Sequence, residues 1–247
     1  MIPIRDVNPT VIRPVLTLAI IAVNIFVFFS IQPHGDPAEE QIFAYEYAAI
    51  PCELSTNESL SLREINNVNN DECIDGDEGF FAEKIIVFSV LASMFLHGDI
   101  FHIGFNLWSL WIFGNNVEEA FGRAGYLAMY FGGGIAATLG YAYLNSDSTI
   151  PLVGASGAIA AVMGAYLVLY PTHRILSLFG FFFIPVPAAL FIGIWFVGQF
   201  GIDPASNVAW EAHVVGLVFG ALLALVFRNQ LLARVKAHQT TRWPHAP

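Results

Sequence analysis

Marking every Asp, Glu, Lys and Arg along the chain leaves six long uncharged stretches, at residues 14–35, 100–117, 124–146, 148–173, 175–202 and 212–227. Their lengths are 22, 18, 23, 26, 28 and 16 residues. A helix needs roughly 20 apolar residues, within a range of about 17 to 25, to cross the hydrocarbon core of a bilayer. Five stretches qualify outright, and the last reaches length when Val208, Ala209 and Trp210 are counted across Glu211. Inside lipid only helices and closed barrels satisfy their own backbone, and runs this long without apolar–polar alternation read as helices. The pattern therefore predicts an all-α membrane protein built as a bundle of six transmembrane helices. A further uncharged run, residues 85–98, is strongly apolar but only 14 residues long, the length of a re-entrant or interfacial segment. It predicts that the first outer loop ends half-submerged in the outer leaflet. In the fifth stretch Pro185 and Pro187 put the start of the span near Pro187, since proline suits the first helical turn, and leave residues 175–184 as an apolar connection at the inner membrane surface.

Composition agrees with lipid as the solvent: 56% of the chain is hydrophobic and 12% charged, against about a quarter charged in soluble domains. The basic residues orient it. With the N-terminus inside, the inner segments hold Arg5, Arg13, Arg123, Arg174, Arg228, Arg234, Lys236 and Arg242, and the outer ones only Arg63 and Lys84. The positive-inside rule then puts both termini in the cytoplasm. The first apolar run shows no small-residue cleavage pattern and reads as the first span. The chain divides into a cytoplasmic tail (1–13), a membrane domain (14–228) and a basic cytoplasmic tail (229–247). Within the membrane domain the outer loop 34–84 carries thirteen acids and two bases, so it is more negative than the whole chain at −10. Its tract 69–78 reads as a solvated, turn-rich loop without calcium-loop spacing. Cys52 and Cys73, the two cysteines, both fall in this loop, an arrangement that admits a disulfide.

Two spans carry small residues at four-residue spacing: Gly157, Ala161, Gly164 and Ala165 in the fourth, and Ala212, Gly216, Gly220 and Ala224 in the sixth. In lipid such faces let two backbones approach closely. Beside each face stands a polar residue, Ser156 before Gly157 and His213 after Ala212, so packing the faces together sets Ser156 opposite His213. Each lies about four residues inside the outer end of its span, roughly 6 Å down at 1.5 Å per residue. The second span, entering from the same side, carries His102 and Asn106 one turn apart in its outer third. Polar groups from three helices thus converge at one depth, and such groups inside a membrane usually mark function.

These motifs resemble the rhomboid proteases. Gly154-Ala155-Ser156-Gly157 opens one span, Ala212-His213-Val214-Val215-Gly216 lies in the last, and His102-Ile103-Gly104-Phe105-Asn106 lies in the second. The stretch 95–117, ending in Trp111-Ile112-Phe113-Gly114-Asn115-Asn116-Val117-Glu118, is similar in style to bacterial members. The resemblance spans residues 14–228 and leaves the acidic loop as an elaboration of this chain. It implies a six-helix intramembrane serine endopeptidase that cuts transmembrane segments of other membrane proteins near their outer end, in a bacterial plasma membrane. By the same resemblance Ser156 is the nucleophile and His213 its base, with His102, Asn106 and the backbone N–H of Ser156 holding the oxyanion. Gly154 allows the tight turn into the helix of Ser156, and Gly157, Gly216 and Gly220 pack near the site. The fifth helix, with Phe191, Trp195 and Phe196, borders the substrate's lateral route. Two positions depart from the family pattern: Phe88 and Ser89 stand where many members have Trp-Arg, and Ala160 stands where some stack a tyrosine on the catalytic histidine.

The resemblance implies no cofactor and no metal, with transmembrane proteins and the bilayer as partners and no nucleic acid. The main alternative is a catalytically silent rhomboid-like module that binds transmembrane segments; a histidine-relay transporter and a metal site of His97, His102 and His213 rank below it. A transporter predicts charges near the bilayer midplane, which the spans lack, and the three histidines lack a carboxylate companion or a His-Glu-x-x-His pattern.

Overall fold

The computed structural model of the chain describes residues 2–8, 10–66, 73, 78–203 and 208–242. A strand β1 (Ile2–Asp6) precedes helix α1 (Val15–Ser30). The outer segment then forms α2 (Pro37–Tyr47), α3 (Pro51–Thr56) and α4 (Leu62–Asn66), followed by α5 (Ile86–Ala92) and a 3-10 turn (Ser93–Phe95). Helix α6 (Ile100–Leu144) leads to α7 (Ser156–Leu169), a hairpin of β2 (Arg174–Phe179) and β3 (Phe182–Pro187), and α8 (Ala188–Gln199). The chain ends in α9 (Trp210–Val226) and α10 (Arg228–Arg242).

Helix α6 is two helices joined at Gly122, whose φ of 69° and ψ of 168° only glycine adopts without strain. Its arms correspond to the second and third uncharged stretches. Charged side chains close the helix ends at this corner. Arg234 of α10 donates to the carbonyl of Phe121, the last residue of the first arm. Glu118, fully buried, accepts from the backbone N–H of Leu16 (3.0 Å) and Thr17 (2.8 Å) and from the Thr17 hydroxyl (2.8 Å), so it caps the start of α1.

Counting both arms of α6, each of the six long uncharged stretches holds a helix among the described residues, but several helices are shorter than the stretches that predicted them. Among the described residues only α6 is by itself long and apolar enough to cross a membrane; α9 with α10, bent by 74°, makes a second if the two count as one span. Helices α1, α7 and α8 have 16, 14 and 12 residues. The fourth stretch is longer than its helix because residues 148–155 run as an extended loop before α7 begins. Helix α7 is apolar all round and buried from Gly157 to Tyr166, so it is the central helix, packed between α9 and both arms of α6.

The all-α expectation missed a three-stranded antiparallel sheet in the order β1-β2-β3. Its strands lie within apolar or terminal sequence whose short runs do not distinguish strand from helix. The loop from β2 to β3 is Gly180-Phe181, with Phe179 paired to Phe182 and Gly180 at φ 58°, as a two-residue hairpin requires at its first position. The hairpin tip exposes Phe179, Phe181, Phe182 and Phe183, and Phe181 is 97% exposed. On the other side of β2, β1 is held by the ladder and by Trp108 of α6, whose indole N–H donates to the Pro3 carbonyl at 2.6 Å. Helix α8 starts right after Pro187, in agreement with the proline signal.

The described part of the outer segment is more ordered than a solvated loop. Tyr45, Ile50, Cys52 and Leu60 form a small core of their own, and Cys52 is disulfide-bonded to Cys73. Beneath it Lys84 and Glu53 form an ion pair at 2.5 Å, their side chains 2% and 1% exposed. Lys84 also donates to the carbonyls of Tyr45 (2.7 Å) and Ala48 (2.8 Å), while Glu53 accepts from the Leu60 N–H (3.1 Å). Burial pulls the Lys84 pKa down and pushes that of Glu53 up, each opposed by the charge of the other. The spaced apolar residues that make this core are masked in sequence by the density of acids around them. Of the tract 69–78, only Cys73 and Glu78 lie within the described residues. Helix α5 presents Val87 and Phe88 outward, with Ile85 exposed just before it, and buries Ser89, whose hydroxyl donates to the Ile86 carbonyl at 2.6 Å.

Candidate active site

The close approach of α7 and α9 follows from their glycines. A Cβ built on Gly216 would fall against the carbonyl oxygen of Gly157, one on Gly220 against that of Ala161, and one on Gly164 against that of Leu217. Backbone therefore meets backbone along the whole crossing, as the small-residue faces predict. Gly157 has a second role that its spacing did not indicate: its own Cβ direction points at Ala137 on the second arm of α6.

At the outer end of this crossing Ser156 Oγ lies 2.9 Å from His213 Nε2. Ser156 is the first residue of α7. The first N–H groups of a helix lack intrahelical partners and carry the positive end of its dipole, so negative charge developing here would be stabilised. The chain reaches this start through Gly154 at φ 128°, in the left-handed region, with its N–H donating to the Ser93 carbonyl at 2.9 Å. Gly154 also makes room for a neighbour. A Cβ there would stand 2.8 Å from His102 Nε2 and 3.5 Å from Ser156 Oγ, so the His102 ring lies against the turn that presents the serine.

His102 is fixed from both sides. Asp99 caps α6 by accepting from the N–H groups of Phe101 (2.7 Å) and His102 (2.9 Å), and the His97 ring packs edge-on at 5.1 Å. His97 is 2% exposed and its Nε2 accepts from the Ala155 N–H at 3.5 Å, which ties the approach to α7 to the residues before α6. Asn106 is buried one turn below, its amide donating to the His102 carbonyl at 2.8 Å. The structure thus gathers Ser156, His213, His102 and Gly154 at one point, with Asn106 a turn away on the face of His102.

Sequence reasoning did not single out Gln199. Its Oε1 lies 2.7 Å from His213 Nδ1, and its Nε2 donates to the Trp195 carbonyl at 3.1 Å. The Trp195 ring stands 5.9 Å from that of His213, tilted by 37°, so Trp195 lies beside the site. Phe191 is buried beside Phe113, their rings 6.0 Å apart. The available signal was that Gln199 is the one side-chain amide in the uncharged stretch 175–202.

A half-buried serine–histidine pair on facing helices of an α-helical membrane bundle defines a narrow class, and sequence comparison names it. The rhomboid domain model matches residues 86–230, and the chain belongs to the rhomboid family. It is 31% identical over 153 residues to RHOMBOID-like protein 12, mitochondrial, of Arabidopsis thaliana, covering 54% of this chain and 44% of that protein. It is similarly 31% identical over 137 residues to Rhomboid protein 1, mitochondrial, of Saccharomyces cerevisiae, covering 54% of this chain and 36% of the relative. Against the human Presenilin-associated rhomboid-like protein, mitochondrial, identity is 30% over 149 residues, with 56% and 38% covered. The chain thus spans less than half the length of these relatives.

Proposed function

We propose that this rhomboid-family chain is an intramembrane serine endopeptidase that cleaves transmembrane segments of other membrane proteins near their outer end. The observation that carries the reading is the 2.9 Å contact between Ser156 Oγ and His213 Nε2. Ser156 Oγ attacks the scissile carbonyl carbon as His213 Nε2 takes its proton, and the carbonyl oxygen gains the negative charge. The C–N bond then breaks, the leaving amine receives that proton, and water hydrolyses the acyl-enzyme by the same two steps. The Ser156 N–H, His102 and Asn106 hold the oxyanion. In this reading the helices of the six uncharged stretches are six spans with both termini on the cytoplasmic side, and α5 is half-submerged in the outer leaflet. The relatives compared are mitochondrial by name, which does not fit a bacterial plasma membrane; that finer location rests on the style of residues 95–117 alone.

The test uses purified protein in liposomes with a panel of transmembrane segments, alongside labelling by a serine-directed fluorophosphonate. Cleavage and labelling are expected of the wild type, and neither of Ser156→Ala. Binding of segments without cleavage or labelling would replace this reading by that of a silent binding module. Comparing membrane proteomes with wild-type and Ser156→Ala protein would then identify substrates.

A further inference from the structure

Three hydrogen-bonding groups in a row determine which nitrogen of His213 carries its proton. The first is the Trp195 carbonyl, which can only accept. The Gln199 amide facing it at 3.1 Å must therefore turn its NH2 toward that carbonyl and its oxygen toward His213. An amide oxygen also only accepts, so His213 Nδ1, at 2.7 Å, must be the protonated nitrogen. Nε2 is then left with its lone pair directed at Ser156 Oγ. We infer that Gln199 is a positioning residue that holds His213 in the tautomer and orientation needed to take the proton of Ser156.

Soluble serine proteases give this task to a buried aspartate, and the wrong histidine tautomer there costs about 10^4 in turnover. A neutral amide supplies the same geometry without a second charge. That suits a site where the ion would have to be desolvated. Gln199 is well placed for the task because it is buried in the last turn of α8, fixed by its own helix through the Trp195 carbonyl. The Trp195 ring covers one side of the imidazole. With Ala160 where a tyrosine would stack, orientation falls to α8, not to α7. Among the described residues the other titratable side chain whose charge bears on His213 is His102, from the first arm of α6; Ser156, Trp195 and Gln199 are the uncharged groups presented by α7 and α8.

The assignment rests on reading Ser156 and His213 as the reacting pair, and its test separates the two. Gln199→Met keeps the length of the side chain and removes the acceptor. It is expected to lower kcat about 10- to 100-fold with little change in KM, and to slow fluorophosphonate labelling by the same factor. Gln199→Glu keeps the acceptor and adds a charge that favours the imidazolium. Most activity should therefore return, with the acid limb of the pH profile moved upward by about one unit. Nitrogen-15 NMR of the histidines reads the tautomer without any turnover: Nδ1 of His213 should carry the proton in the wild type and lose that preference in Gln199→Met. Unchanged kcat and an unchanged tautomer in Gln199→Met overturn the proposal. A fixed tautomer in a protein that neither cleaves nor labels would uphold the positioning and refute the protease reading.

Discussion

Gly216 of α9 and Gly157 of α7 meet with no side chain between them, the Gly157 carbonyl occupying the space a Cβ on Gly216 would need. Gly216→Val therefore cannot be absorbed by a rotamer change and must push the two helices apart, taking His213 away from Ser156. We expect thermal stability in detergent to fall, by the equivalent of about 1–3 kcal/mol or more, and activity to fall with it. Gly193→Ala, at a position with open space around its Cβ direction, is the control and should change neither. Equal melting temperatures for Gly216→Val and wild type would rule out a close backbone contact.

The oxyanion assignment is tested by truncating its side chains. Asn106→Ala and His102→Ala should each lower kcat by about 10- to 1000-fold while KM changes little, because an oxyanion donor acts mainly in the transition state. Steady-state kinetics on one transmembrane substrate decides it; a rise in KM alone would make either residue a substrate-positioning group.

The buried pair in the outer loop makes a prediction with a definite pH sign. Lys84→Met leaves Glu53 without its cation and should destabilise the loop by about 3–5 kcal/mol at neutral pH. Burial already raises the Glu53 pKa, and losing Lys84 raises it further. A carboxyl whose folded pKa lies above its unfolded value favours the fold at low pH and loses that contribution as the pH rises. The deficit of Lys84→Met should thus be smallest below the ordinary carboxylate range and grow above it. Adding Glu53→Gln should recover much of the loss. Thermal melts of the single and double variants, from the ordinary carboxylate range up to neutral pH, measure both effects.

Substrate choice follows from the energetics of the scissile bond. A peptide carbonyl inside a transmembrane helix is hydrogen-bonded, and unwinding it in lipid leaves groups unsatisfied at several kilocalories each. Targets should carry helix-weakening residues just beyond the cleavage site, and replacing those by leucine should sharply reduce cleavage. Equal cutting of a uniformly stable leucine helix would remove unwinding as the basis of selection.

Lipid makes some of this molecule easy to read and hides the rest. Long uncharged stretches announced the helices because a bilayer forbids charge along a span, and the glycines of α7 and α9 showed their contact by four-residue spacing. Ser156, His213, His102 and Asn106 stood out because polar groups are costly there. Gln199 did not, and Trp195 was read only as part of the substrate's lateral route, since each reaches His213 from a third helix whose rotation no periodicity specifies. The strands were lost for a related reason: β2 and β3 are as apolar as a span, and β1 pairs across a sequence distance that no local pattern reports. In the outer loop the charge of the acids concealed that two of them, Glu53 and Glu64, point inward.

The pairing of β1 with β2 also orders events during synthesis. Asp6 lies opposite Ile175 and Ile2 opposite Leu178, about 170 positions further along the chain. At roughly 5–20 residues per second the first strand emerges some ten to thirty seconds before the strand it joins. Throughout that interval its N–H and C=O groups can be satisfied only by water or by another protein. The sheet is therefore a late clasp: its closing requires that α1, both arms of α6 and α7 have already been made, and it joins a strand made long before to the strand pair that leads into α8.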